Sequence, residues 1–213
     1  MDFVGTLIDF ILHLDQHLAE IIATYGLWTY GLLFLIVFFE TGVVVTPFLP
    51  GDSLLFAAGA FAGLGSLNPW ILFVSLSLAA IAGDTVNYGV GRIIGPRAFS
   101  GKIRWLRQDY LHRTERFYER HGGKTIALAR FVPIIRTFAP FVAGIGHMRY
   151  SRFLAYNVGG GISWVGLFVL GGFYFGNLPV VKANFSLVVM GIIIVSVLPI
   201  VVEILRARRD PTG

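Results

Sequence analysis

Cysteine is absent from the 213-residue sequence, which excludes disulfides, thiolate metal sites and cysteine nucleophiles. Charge is nearly as scarce: 14% of residues are charged against 55% hydrophobic, and the mean hydropathy is +0.73, too oily for a soluble domain. None of the five histidines has metal-ligand spacing, and His13 and His17 form a lone i,i+4 pair. Walker A, HExxH and G-x-S-x-G patterns are also missing, so no cofactor, no metal and no enzymatic activity are expected. The opening "MDFVGTLIDFILHLDQHLAE" lacks a basic n-region and a small-residue cleavage site, and it is read as part of the mature protein.

What the sequence does hold is long apolar runs, and they imply an integral membrane protein, a single membrane-embedded domain over residues 1–213. Residues 2–22 set Asp2, Thr6, Asp9, Gln16 and Glu20 opposite Phe3, Leu7, Ile11, Leu14 and Leu18, the pattern of an amphipathic interfacial helix. Apolar runs follow at Leu27–Val45, interrupted by Glu40, at Pro69–Arg92, interrupted by Asp84, and at Phe153–Phe175 and Phe185–Val202. At about 1.5 Å per residue these suit a core of roughly 30 Å, so four transmembrane helices are expected. Residues 47–65, opened by "PFLPGD", and 125–146 do not fit that scheme. Each has a Pro-rich start and only about a dozen apolar residues, too few to span, and reads as a re-entrant hairpin.

Charge orients these pieces. Between Gly95 and Lys124 eight Lys or Arg stand against three acids, and the chain ends "RARRDPTG". Both regions belong on the cytoplasmic side, where facing anionic lipid accounts for the charge without a nucleic-acid partner. Glu203 with Arg206 to Arg209 marks a membrane exit. Lys124 precedes the second hairpin while Arg149 and Arg152 follow it, so that hairpin enters from the cytoplasm and returns there. Counting back puts the first hairpin on the outer side and the N-terminus inside; counting forward puts the C-terminus inside. The predicted fold is therefore an all-α polytopic membrane protein, four transmembrane helices plus two oppositely oriented re-entrant hairpins in an inverted repeat, with amphipathic interfacial helices. The repeat leaves a faint trace, "PFLPGDSLLFAAG" against "FVPIIRTFAPFVAG", with Pro50 opposite Pro133 in one register and Asp52 opposite Arg136 in another. Inverted repeats with broken helices point to secondary transporters. "DYLHRTERFYERHGG" reads as a short helix lying on the cytoplasmic surface, with Leu111, Phe117 and Tyr118 on its apolar side.

A charge inside an apolar run is costly and faces a partner or a cavity, which singles out Glu40, Asp52, Asp84, Arg130 and Arg136. The planar fork of a guanidinium suits phosphate, so Arg130 and Arg136 are the candidate substrate-binding residues; the alternative is that each pins a hairpin to an acid. Pro133 and Pro140, with Pro50 as the counterpart of Pro133, break the helices and open backbone groups to the same place. Glu40 reads either as a proton carrier or as a static partner of an arginine, and Asp52 either as a second coupling acid or as a helix N-cap. "GDTVNYGVGR" puts Asp84, Asn87, Tyr88 and Gly91 on one helix face, lining an interface or cavity, with Gly83, Gly89 and Gly91 allowing close approach. "YNVGGGISWVG" reads as small-residue packing.

"KTIALARFVP" resembles a stretch of the type 2 phosphatidic acid phosphatases, but its spacing is one short, proline does not follow Arg130, and their PSGH and distal His motifs are absent. Four ordered stretches carry a fuller resemblance: "FFETGVVVTPFLPGDSLLFAAGAFAG", "GDTVNYGVGR", "GGKTIALARFVPIIRTFAPFVAGIGHM" and "YNVGGGISW". Together they resemble the bacterial DedA family, also called the SNARE-associated or VTT-domain family, over practically the whole chain. The resemblance implies a bacterial inner-membrane protein with two facing re-entrant hairpins that supports envelope integrity. It further implies that undecaprenyl phosphate is returned across the membrane with proton or cation coupling; eukaryotic relatives are associated with lipid scrambling. The family's acidic pair and arginine pair fall on Glu40, Asp52, Arg130 and Arg136 here. The expected function is a lipid-phosphate flippase whose partners are that head group, protons or monovalent cations, and membrane lipids. A proton-coupled exporter of small ions or drugs and a non-transporting scaffold are the alternatives, and a homo-oligomer is left open.

Overall fold

The computed structural model describes residues 14–43, 51–95, 108–184, 187, 188 and 191. Residues 2–13 of the amphipathic segment, Pro47 and Pro50, residues 96–107 of the basic loop, nearly all of the expected fourth span and the basic tail lie outside the described residues. Among the described residues the chain is helical and has no strand. In chain order the helices are α1 (Leu14–Tyr25), α2 (Trp28–Gly42), α3 (Gly51–Gly63), α4 (Pro69–Ile94), α5 (Gln108–His121), α6 (Thr125–Ala129), α7 (Pro133–Ile145), α8 (Tyr150–Phe175) and α9 (Pro179–Ala183).

Only α4 and α8, 26 residues each, are long and apolar enough to cross a membrane among the described residues. At about 1.5 Å per residue each is about 39 Å long, more than the hydrocarbon core requires. The 13-residue α3 and α7 come to about 20 Å, roughly two thirds of that core. Local chemistry sets the ends. Asn68 caps α4 by accepting the N–H groups of Trp70 (3.0 Å) and Ile71 (3.2 Å), with Pro69 in the first helical position where its missing donor costs nothing. Gly65, at φ +82, closes α3 in the left-handed conformation, and Ser66 N–H reaches back to Phe61 O at 3.0 Å.

The described residues form two compact units, one drawn from 1–33, 50–75 and 165–213, the other from 34–49 and 76–164. In the first unit, Asn68 N–H donates to the Tyr30 hydroxyl at 2.6 Å, so α2 starts beside the start of α4. Gly63, the last residue of α3, is only six positions before Pro69. The stretch 28–63 therefore leaves and regains the same end of α4. This corrects the expected order of a complete first crossing at 27–45 followed by a separate outer hairpin, which would put Trp28 and Pro69 at opposite ends. Both stretches are apolar, and hydropathy counts residues in oil without seeing where the chain doubles back.

In the second unit, the chain doubles back within residues 125–146. Gly123 packs against Arg152 and Tyr156 in the first two turns of α8, and Met148 directly precedes α8, so both flanks lie at one end of that helix. The reversal falls at Arg130–Val132. Val132 is extended (φ −122, ψ 101), as a residue before proline must be, and Pro133 then opens α7. The helix α5 does not simply lie on a surface. Leu111 is fully buried among Phe138, Phe141, Val142 and Ile145 of α7, and the Tyr118 hydroxyl donates to Ala139 O at 2.9 Å. Burial, aided by the nearby Asp84 charge, pushes the Tyr118 phenol far above its ordinary range, so it stays a donor.

The same contact recurs in both units. A side chain on Gly59 would strike the Val169 carbonyl and one on Gly172 the Phe56 carbonyl; in the second unit Gly91 meets the Phe141 carbonyl and Gly144 the Tyr88 carbonyl in the same way. "FAAG" of α3 thus matches "FVAG" of α7, each laid on a glycine of a 26-residue helix. Carried back along the helices, that register sets Gly51 against Arg136 and Asp52 against Thr137, one step from the closer of the two registers read from sequence. Close backbone approach at glycine lets Cα–H and carbonyl groups touch, which is how helices associate where no water drives them together.

Candidate functional site

The site is built in the second unit from the end of α2, the middle of α4, the break before α7 and the middle of α8. Glycine brings α2 and α4 together: a methyl on Gly42 would sit 3.3 Å from the Gly83 Cα, and one on Gly83 would strike the Thr41 hydroxyl. Gly83 and Gly91 thus serve close packing as expected, whereas Gly89 has open space around it. Asn87 is fully buried and ties three elements, donating through Nδ2 to Thr137 O at 2.8 Å and to Thr41 O at 3.2 Å. Pro140 lies inside α7 and has no N–H to give to the Arg136 carbonyl, so the helix carrying Arg136 has one rung fewer.

Arg130 projects from the break itself and is 3% exposed. Its Nη2 donates to Asp84 Oδ2 at 2.5 Å and to Asn157 Oδ1 at 2.6 Å. Asn157, fully buried on α8, is held in turn by Ile81 O at 3.0 Å. Gly160 and Gly161 of the same helix clear the space, since a methyl at 160 would come within 3.3 Å of Arg130 Cδ. Two of the three glycines are therefore packing, as read from sequence, with Arg130 among what they pack against, whereas Gly159 has open space around it. Arg130 Nε and Nη1 are buried donors with no partner among the described residues, and Asn87 Oδ1 is a buried acceptor in the same condition.

Arg136, in the first turn of α7, pairs through Nη2 with Glu40 Oε1. Its side chain is 11% exposed against 1% for Glu40, which makes Arg136 the member of the pair with a path outward. Trp164 is fully buried beneath both cations, 4.7 Å from Arg136 Cζ and 5.8 Å from Arg130 Cζ.

Four of the ionisable groups singled out in the sequence, Glu40, Asp84, Arg130 and Arg136, thus come together in one unit as two pairs. The acid that meets Arg130 is Asp84, which the sequence placed on an interface-lining face. Asp52 belongs to the other unit, half-buried in the first turn of α3 and so two positions past the cap position expected of it. There its carboxylate complements the positive end of the helix. Pro133 opens α7, Pro140 is buried within it, and Pro50 lies outside the described residues. Tyr88 does not face the arginines. Its hydroxyl donates to Met148 O at 2.5 Å and its ring stacks on Phe153 at 4.4 Å, fastening α4 to the turn before α8. Sequence reasoning passed over Asn157 and Trp164. The rule that found Asp84, a polar group inside an apolar run, would also have found Asn157; nothing in the sequence distinguished Trp164 from an interfacial tryptophan. Separately, Met148, Arg149, Ser151 and Arg152 line an open cavity of about 490 Å³ at the start of α8, with both arginines exposed.

Apolar helices long enough to cross a bilayer, half-length helices broken at proline, and guanidinium–carboxylate pairs sealed among them define a membrane-embedded protein whose polar interior is specified residue by residue. Residues 49–174 match the VTT domain family, and the chain belongs to it. It is 58% identical to Protein DedA of Escherichia coli over 212 residues, covering 98% of this chain and 97% of that one. It is 41% identical over 176 residues to an uncharacterized membrane protein of Mycobacterium leprae, covering 82% and 79% of the two chains. Inner membrane protein YqjA of Escherichia coli is 32% identical over 152 residues, 71% of this chain and 69% of that one. No solved structure matches.

Proposed function

We propose that the protein is a bacterial inner-membrane transporter that carries the phosphate head group of a lipid carrier, undecaprenyl phosphate, between leaflets while the isoprenyl tail stays in lipid. The observation that carries this reading is Arg130, a buried guanidinium with two donors, Nε and Nη1, that no described residue accepts. A buried donor without an acceptor costs about 1–3 kcal/mol, more when charged, and a phosphate oxygen is an acceptor of the right charge. A scaffold held together by ion pairs needs the pairs and has no use for spare donors.

Arg136 is the exchanging partner. When phosphate reaches it, the donors pass from Glu40 to the head group, and Glu40 is left in a dry site without its cation. An unpaired carboxylate there costs several kcal/mol, so Glu40 takes up a proton, which couples lipid movement to proton movement. Asp52, at the start of α3, is assigned as the second coupling acid, and Pro133 and Pro140 as the breaks that let backbone groups reach the head group. For topology, 28–63 and 125–146 are proposed as re-entrant hairpins entering from opposite faces. The basic segment 95–124 and the tail face the cytoplasm. Because Tyr30 lies beside Asn68, the start of α2 is proposed to share the outer face with the start of α4, in place of the cytoplasmic side that counting spans suggests.

Purified protein in vesicles containing undecaprenyl phosphate tests the reading by leaflet exchange, with Arg136→Ala and Glu40→Gln compared after insertion and folding are checked. Exchange lost in folded variants supports the carrier. A wild type that exchanges nothing under any imposed proton or cation gradient leaves the exporter or the scaffold.

A further inference from the structure

Two different kinds of contact hold Arg136. Glu40 takes its N–H donors, and any incoming anion must compete for the same atoms. Trp164 offers a ring face with the guanidinium carbon 4.7 Å from its centre, and a guanidinium on an aromatic face keeps its in-plane donors available. The same ring lies 5.8 Å from Arg130 Cζ, and no polar side chain of this cluster is more completely enclosed. Resting on the phosphate reading above, we propose that Trp164 is a positioning residue for the anion site: a platform on which Arg136 stays seated while its donors pass from Glu40 to phosphate, and against which Arg130 is kept with its Nε–Nη1 edge unused. A neutral platform is what such an exchange requires, because a second carboxylate would hold the cation by the donors the substrate needs.

Fluorinated tryptophan separates this role from filling space, since fluorine withdraws density from the ring face while leaving its shape almost unchanged. Trp28, Trp70 and Trp105 are replaced by phenylalanine in the full-length protein, so that fluorotryptophans enter at position 164 alone. Binding of a short-chain polyprenyl phosphate in detergent is measured by calorimetry, and Trp164→Phe and Trp164→Leu are made with the other tryptophans intact. The expected result is a Kd that rises stepwise with each added fluorine, to about tenfold for the most substituted ring, with Trp164→Phe binding more tightly than Trp164→Leu. A flat fluorine series overturns the platform, even if Trp164→Leu binds poorly, because Trp164 then only fills the core. Leaflet exchange by the same proteins keeps the two readings apart. Binding that weakens with fluorination in a protein that moves no lipid removes the transport reading and leaves the platform; absence of phosphate binding by the unsubstituted protein removes both.

Discussion

Replacing Asp84 by alanine while leaving Arg130 in place removes one side of a buried pair and exposes what the other side costs. With 2.5 Å between Nη2 and Oδ2, the gross attraction at an effective dielectric of about 20 is about 7 kcal/mol. Taking both charges out of water costs several kcal/mol per ion, so the complete pair contributes little net stability. The half-pair is different, because Arg130 is 3% exposed, has two further unsatisfied donors, and would keep only Asn157 as an acceptor. Asp84→Ala should therefore lower the unfolding free energy by about 3–5 kcal/mol, read from denaturant titration in mixed micelles. Asp84→Leu combined with Arg130→Met removes both charges at similar volume and should recover most of that loss. If the site works as proposed, the stable double variant still exchanges no lipid, because the spare donors left with Arg130. An Asp84→Ala protein within about 0.5 kcal/mol of wild type, or a double variant as unstable as the single, would refute the sealed-pair argument.

Gly91→Ala and Gly172→Ala each force a methyl against a carbonyl oxygen and should each destabilise by about 1–3 kcal/mol in the same titration, while Gly89→Ala, with open space around it, should be silent. Arg136→Lys keeps the charge but loses the planar fork. It should fold and insert normally and exchange lipid at least about tenfold more slowly, and an unchanged rate would show that charge alone suffices. Because the chain has no cysteine, topology can be read by single-cysteine labelling in cells. Glu20→Cys on α1 should react with an impermeant maleimide from outside and Arg152→Cys only after permeabilisation; labelling of both from one side rejects the assigned orientation.

Membrane residence, the scarcity of charge, the break at Pro133 and the short list of intramembrane ionisable groups were all legible in the sequence. Each depends on the transfer free energy or backbone geometry of the residue itself, which does not wait on what lies across the core. The reversal of the chain between Lys124 and Arg149 was legible too, because positive charge on both flanks favours keeping the two ends together. What could not be read was who meets whom. That Asp84 and Asn157 clasp Arg130, that Glu40 takes Arg136, and that Trp164 lies under both depends on the depth and rotation at which α2, α4, α7 and α8 touch. Those are set by carbonyl-to-glycine contacts at Gly42, Gly83, Gly91 and Gly144, where a single methyl group would change the spacing. The return of 28–63 to its own end of α4 has the same origin. Composition determines that a segment prefers oil; only packing against neighbouring helices decides how far into it the segment goes and which partner its buried charge finds.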